Sequence, residues 1–276
     1  MKEKFKSHYG AYPAVLADVW NNLCDDQHPN IQTISRKEQN VKGFARFLAA
    51  NYFLWTYPKN TDQLASRFQV CEKYARGREL WKWVERIASL KAIKIVWDDR
   101  LDNQEWEMFA ITVDGTDFKM NEPRDRPVPQ DKRVCSKKMN HAAVKYEVGM
   151  SVFRPKCVWI SKQYDGATHD ITMYRTSGLK EKLVEGKLVI ADLGYRSSRP
   201  DEKDVFSLPS NYDSKQLYNF KSRARLRHEG FNSMLKKYNI LFDEFRHGKK
   251  KQEIACTAVA VLSQCKIDHG ASLYDV

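Results

Sequence analysis

Phe109-Ala110-Ile111-Thr112-Val113-Asp114-Gly115-Thr116 alternates apolar and β-branched residues and then meets an acid and a glycine. The pattern predicts a buried strand ending in a carboxylate at a sheet's edge. Two later stretches look built to join it. Lys187-Leu-Val-Ile-Ala-Asp192-Leu-Gly-Tyr195 reads as a second apolar strand, residues 187–192, again ending in an acid and a glycine. Arg223-Ala-Arg-Leu-Arg-His-Glu229-Gly-Phe-Asn-Ser-Met-Leu235 reads as a basic helix with one central acid.

The chain of 276 residues is long enough for one large or two modest domains with a sizeable core. Its 42% hydrophobic content excludes wholesale disorder. A net charge of +12 and a pI near 9.3 point to a polyanionic partner, most commonly nucleic acid, with a merely basic soluble protein as the plain alternative. Cysteines 24, 71, 135, 157, 256 and 265 form no CxxC pair. Neither a zinc site nor a disulfide framework is expected, so the thiols should be reduced in an intracellular protein. Met1-Lys-Glu-Lys-Phe-Lys has no apolar h-region, so no signal peptide is expected. No apolar run approaches a membrane span, and no membrane partner is expected.

Residues 1–40 are polar and mixed, with one short helix suggested after Tyr12-Pro13. Gly43 to Trp55 carries Phe44, Phe47, Leu48, Phe53 and Leu54 at helical spacing, reads as a core helix, and is stopped by Pro58. Thr61 is a credible N-cap for a helix to Phe68. A turn at 69–72 and a longer helix from Lys73 to Ala88 would complete a helix-turn-helix outline. Arg76, Arg78 and Lys82 would be its DNA contacts, or else simply a solvated face. The polar stretch 98–105 marks a domain boundary, giving a helical domain over 1–100 and a second domain over 101–276. There, strands are expected at 107–114, 142–153, 156–161, 187–192 and 205–208. The stretch 121–140 reads as loop, and the loop after Asp114 is expected to run Asp117-Phe-Lys-Met-Asn-Glu-Pro123. Helices are expected at 170–179, 214–235 and 250–267. Three strands, a helix, two strands and helices make a mixed α/β domain, and that order fits a ribonuclease H-like fold: a mixed five-stranded sheet with flanking helices, preceded by a small all-helical N-terminal domain.

The working expectation is that Asp114, Asp192 and Glu229 converge and hold divalent metal ions. Cleaving a phosphodiester needs an activated water or hydroxyl and a stabilised leaving oxygen, and two ions roughly 3.5–4 Å apart serve both. Hard Mg²⁺ takes oxygen ligands, so a few carboxylates suffice. Taken singly, each acid has a plainer reading. Asp before Gly at a strand end is commonly a turn residue. Glu229 lies roughly 140° from the apolar stripe Leu217, Phe220, Ala224, Phe231, Leu235, Tyr238, so it faces either solvent or a cleft. His169-Asp170 reads as a helix N-cap, with Thr168 or Asp170 satisfying free amides, or as support for the site.

The combination is more specific than its parts. Asp114-Gly-Thr, Lys137-Lys-Met-Asn-His141, Gly166-Ala-Thr-His-Asp-Ile-Thr-Met-Tyr-Arg175, Asp192-Leu-Gly-Tyr-Arg196 and Arg225-Leu-Arg-His-Glu-Gly-Phe-Asn-Ser-Met-Leu-Lys236 together resemble the Harbinger-type DDE transposases. Asp192 follows Asp114 by 78 positions and Glu229 follows Asp192 by 37, similar to the spacing of DDE enzymes. The likeness spans about residues 44–276. It implies a ribonuclease H-like catalytic domain with Asp114, Asp192 and Glu229 as catalytic ligands of two Mg²⁺ or Mn²⁺ ions, supported by His169 and Asp170. It also implies cleavage of DNA at transposon ends and joining of the 3′-hydroxyl to target DNA, in the nucleus, by a homo-oligomer aided by a separate Myb-like DNA-binding protein. Lys137, Lys138, Arg196, Arg223, Arg225, Lys236 and Lys237 join Arg76, Arg78 and Lys82 as candidate DNA contacts. The alternative is a domesticated descendant that binds DNA or a protein without cutting. Leu193 departs from the small residue more usual after the second acid.

Overall fold

The computed structural model describes residues 2–71, 77–100, 108–121, 132–184, 186–200, 202 and 205–273. The chain forms two compact units: Met1–Lys94 with Met234–Ala271, and Ile95–Ser233 with Ser272–Val276. The break at Lys94 lies just before the polar stretch 98–105, of which 101–105 falls outside the described residues. Residues 234–271 group with the N-terminal helices.

The first unit is helical. Its described elements are α1 (Lys2–Tyr9), α2 (Pro13–Cys24), α3 (Val41–Thr56), α4 (Asp62–Phe68), α5 (Arg78–Ser89), α6 (Lys91–Lys94), α10 (Asn239–Phe242) and α11 (Lys249–Asp268). Asn40 starts α3 by accepting a hydrogen bond from the Gly43 amide at 3.0 Å, and left-handed Tyr57 ends it just before Pro58. Helix α11 is the hub. Nearly every residue from Ala255 to Cys265 is buried, and α5 packs on it with Leu80, Trp81, Trp83, Val84 and Ile87 inward. That packing places residues 234–271 in this unit.

The helix-turn-helix outline survives only in part. Thr61 makes no side-chain cap; Asn60 instead accepts from the Asp62 amide at 2.8 Å. Gly77 is extended, so α5 begins at Arg78 and not at Lys73. Residues 72–76, with Arg76, lie outside the described residues.

The second unit is a mixed sheet between helices. Its elements are a 3₁₀ turn (Trp97–Arg100), β1 (Phe109–Lys119), β2 (Cys135–Ser136), β3 (His141–Ser151), β4 (Cys157–Ile160), β5 (Tyr164–Asp165), α7 (Asp170–Thr176), α8 (Leu179–Lys182), β6 (Leu188–Ile190), a 3₁₀ turn (Leu193–Tyr195), β7 (Phe206–Ser207) and α9 (Lys215–Lys236), whose last turn belongs to the helical unit. β3 lies antiparallel to β1, β2, β4 and β5, while β1–β6 and β6–β7 are parallel. Two two-residue strands, β2 and β5, raise the sheet from the expected five strands to seven. Both pair only with the long β3, and segments that short carry no periodic signal. The expected helix 170–179 is two, parted at Ser177-Gly178 where Gly178 takes φ +90°.

β1 does not stop at Asp114. It continues to Lys119 against β3, with Asp114 opposite Val148 and Gly115 opposite Glu147. Its parallel neighbour β6 pairs only as far as Thr112. Asp114 is therefore mid-strand on one side and just past the end of pairing on the other. An irregularity between Phe109 and Ile111 sets the faces. Beyond it Ile111 and Val113 join Val158, Tyr174, Leu179 and Val189 under α7 and α8. Phe109 packs with Val152, Ile190 and Ala224 under α9.

Candidate active site

Thr112 and Asp114 share a face of β1, and that face meets α9. The Thr112 Oγ1 lies 2.8 Å from Nδ1 of His228, and Nδ2 of Asn232 donates to Oδ2 of Asp114 at 3.0 Å. His228 and Asn232 are one helical turn apart, so a single face of α9 grips the strand twice. Gly115 looks the other way. A Cβ there would overlap the carboxylate of Asp170, the first residue of α7. A Cβ on Gly194 would overlap the same carboxylate. Asp192 follows β6, and its Oδ1 accepts from the Gly194 amide at 2.8 Å. The Asp170 carboxylate thus packs between the residue after Asp114 and the turn held by Asp192, and both glycines are needed because a side chain would displace it.

The Lys145 ammonium on β3 donates to Asp170 Oδ1 at 3.2 Å and to the Thr168 carbonyl at 3.1 Å, and stands 3.7 Å from Asp117 Oδ1. The Ser136 hydroxyl donates to the other oxygen of Asp117. Asp117 is therefore a buried member of β1 rather than part of a polar loop. His169 occupies the N-cap of α7 without a side-chain cap bond, and the Asp170 carboxylate in the first turn accepts from Lys145.

Crowding shows in the acids' titration. Burial raises the Asp114 carboxyl to about 6, the charges of Asp192 and Asp170 push the same way, and Lys138 opposes them. Burial also raises Asp170, against the pull of Lys145. Behind them, Glu147 accepts from Ser177 Oγ at 2.8 Å and Trp159 Nε1 at 3.3 Å, and burial pushes it up to about 7. His228 is pushed down to about 3 by burial and by Arg225, so its imidazole is neutral.

A cavity of about 250 Å³ is lined by Asp114, Asp192 and Glu229 together with Lys138, Arg225 and His228. A second, about 240 Å³, shares Asp114, Asp192 and Lys138 and reaches Lys137, Lys145, His169 and Asp170. Glu229 sits at the rim: its side chain is 62% exposed and leans toward Arg225 at 4.0 Å. Among the described residues no three His, Cys, Asp or Glu side chains form a group that could hold a metal ion as they stand. Asp114 is tied to Asn232, Asp192 to its own turn, and Glu229 turns outward. The donor type nevertheless suits a hard cation: the three acids offer only oxygen, and Asp114 is crowded by the charges of Asp192 and Asp170.

The expected basic contacts divide. Lys137, Lys138 and Arg225 line the cavities, Arg196 and Arg223 are exposed in the sheet unit, and Arg78, Lys82, Lys236 and Lys237 belong to the helical unit. Lys82 is paired with Glu79 at 2.6 Å. Sequence reasoning missed Asn232, His228, Asp117 and Lys145. Asn232 could have been found as the residue one turn past Glu229, and Asp117 as the next acid along the chain, three residues past Asp114 and on the opposite strand face. Lys145 carries no signal beyond its place in an alternating strand.

Buried Glu202 accepts from Arg175 Nε and Nη2, from Lys180 at 3.1 Å and from Ser197 at 2.7 Å, and these partners hold its carboxyl down to about 2. Arg175 stands on α7 and Ser197 follows the Asp192 turn, so this ion cluster joins the two segments that carry Asp170 and Asp192.

None of the six cysteines is in a disulfide, and among the described residues no helix is long and apolar enough to cross a membrane. No curated protein and no solved structure matches the chain. The family model described as DDE superfamily endonuclease matches residues 113–264, which is more than half of the chain and runs from the start of the first acid motif past Glu229. With that match over the acid-lined unit, the chain belongs to the DDE superfamily endonucleases.

Proposed function

We propose that the chain is a Harbinger-type transposase: a metal-dependent nuclease that cleaves DNA at transposon ends and joins the 3′-hydroxyl to target DNA. The observation that carries the reading is the single cavity lined by Asp114, Asp192 and Glu229 with Lys138 and Arg225 at its side. The strand order supports a ribonuclease H-like sheet, with antiparallel β3 and β4 on one side of β1 and parallel β6 and β7 on the other. Asp114, Asp192 and Glu229 would hold two Mg²⁺ or Mn²⁺ ions, Glu229 by turning inward from Arg225. Bound there, the ions would activate a water or hydroxyl and stabilise the leaving oxygen. Asn232 orients Asp114, Asp170 with Lys145 holds the acid-bearing segments, and Lys138 and Arg225 receive phosphates.

The proposal extends to a helical domain over 1–100 and a catalytic domain over 101–276, action in the nucleus, a homo-oligomer that pairs two DNA ends, and a separate Myb-like protein for end recognition. The test is cleavage of DNA bearing the inverted repeats that flank the reading frame. Cutting should require Mg²⁺ or Mn²⁺, and Asp114→Ala should abolish it while leaving DNA binding intact. Metal-independent binding without any cutting by the wild type would instead support a domesticated DNA-binding descendant.

A further inference from the structure

His228 is 3% exposed, and its Nδ1 is committed to Thr112 at 2.8 Å. Its Nε2 is buried and meets no hydrogen-bonding partner among the described residues. A neutral imidazole needs partners at both nitrogens, one as donor and one as acceptor. Leaving a buried one unmet carries the full desolvation penalty of that group. His228 is also one of the residues lining the cavity that Asp114, Asp192 and Glu229 share. An apolar residue beside a β-branched strand residue would fill this space at no such cost.

We infer that His228 is a hydrogen-bonding group of the active cavity, its ring fixed by Thr112 at Nδ1 so that Nε2 holds one oxygen, of water or of a DNA phosphate, against the wall beside Asp114. The inference rests on the proposed nuclease reading only for its effect on cleavage; the bond itself needs no metal and no reaction. Thr112 and Asp114 leave the same face of β1, and His228 and Asn232 leave the same face of α9. The two pairs lie two strand residues and one helical turn apart, so the His228 ring is anchored on the face of β1 that also carries the acid Asn232 orients.

The experiment has two arms. In the first, protein labelled with ¹⁵N-histidine is followed by NMR without divalent metal, alone and with duplex DNA. An Nε2 resonance of a hydrogen-bonded imidazole in the free protein identifies water; one that becomes bonded only with DNA identifies a phosphate oxygen. An unbonded Nε2 in both states overturns the inference. In the second arm, His228→Leu combined with Thr112→Val replaces the buried polar pair by an apolar pair of similar shape, which should leave the fold intact. Cleavage should then fall about tenfold, the worth of one hydrogen bond, with DNA affinity little changed. His228→Gln, whose amide can reach the Nε2 position, should recover more activity than His228→Asn, which reaches only the Nδ1 position. A double variant that cuts at the wild-type rate also overturns the inference. If the wild type does not cut at all while Nε2 is bonded, the nuclease reading fails and this one stands.

Discussion

Replacing Glu202 by Gln tests whether the cluster between α7 and the Asp192 turn is held by charge. The carboxylate is buried, takes a bidentate grip from Arg175, and is reached by Lys180 and Ser197. Its carboxyl is held near 2 against an ordinary 4.5, first by the Arg175 hydrogen bonds. At 1.36 kcal/mol per unit that shift is nominally about 3 kcal/mol. Arg175, Lys180 and Arg199 are 25%, 34% and 58% exposed, so water screens the cluster and about 1–2 kcal/mol is the figure to expect.

The sign follows from the direction of the shift. A carboxyl depressed in the folded state stabilises fully above its unfolded value, 4.5, and loses that contribution as pH falls toward 2. Glu202→Gln should therefore be about 1–2 kcal/mol less stable than wild type at pH 7, and the gap should narrow by about a third to a half at pH 3.5. Urea unfolding followed by the fluorescence of Trp97 and Trp159, both in the sheet unit, measures it. A gap that stays constant from pH 7 to pH 3.5 would falsify the electrostatic account and leave shape alone as the role of Glu202.

Four further outcomes are expected. Gly115→Ala should cost about 1–3 kcal/mol in urea unfolding, because its Cβ overlaps the Asp170 carboxylate that Lys145 holds in place; no loss would mean that Asp170 is free to move. Metal-free Asp114→Asn should melt no lower than wild type, since it removes a buried charge crowded by Asp192 and Asp170. Added Mg²⁺ should raise the melting temperature of the wild type alone, and an equal rise in the variant would detach Asp114 from the metal. DNA affinity should fall steeply with salt, and Lys138→Ala and Arg225→Ala should each flatten the log–log slope by about 1; unchanged slopes would take both off the phosphate path. Asn232→Leu should slow metal-dependent cleavage more than it weakens DNA binding, because it releases Asp114 without touching a cation; equal effects on both would make Asn232 a contact instead.

The strands that carry the acids were legible because their residues alternate or run apolar, and the long helices because their buried faces repeat. What failed was local. β1 was expected to end at Asp114 since Asp-Gly is a turn signal. The glycine is there for another reason, the nearness of Asp170 on the facing helix, which only tertiary structure reveals. The grouping of residues 234–271 with the N-terminal helices is equally invisible along the chain, because a hydrophobic stripe does not name its partner. The short β2 and β5 exist only as hydrogen-bonded additions to β3.

Glu229 shows why an apolar stripe misjudges a helix beside a polar cavity. Counting only apolar residues centres the inner face of α9 near Ala224, Phe231 and Leu235 and leaves Glu229 far from it. The buried residues of α9 also include Lys221, Arg227, His228 and Asn232. Lys221 is held by Asp213, Arg227 by the Val152 carbonyl, His228 by Thr112, and Asn232 by Asp114. With these counted, the inner face widens, and Glu229 lies only about 60° from Asn232. It becomes the rim residue of that face instead of its opposite. The same geometry explains why Glu229 is exposed and still lines the cavity of Asp114 and Asp192. A helix covering a charged pocket must write part of its inward face in polar residues, because each buried one needs a polar partner within reach.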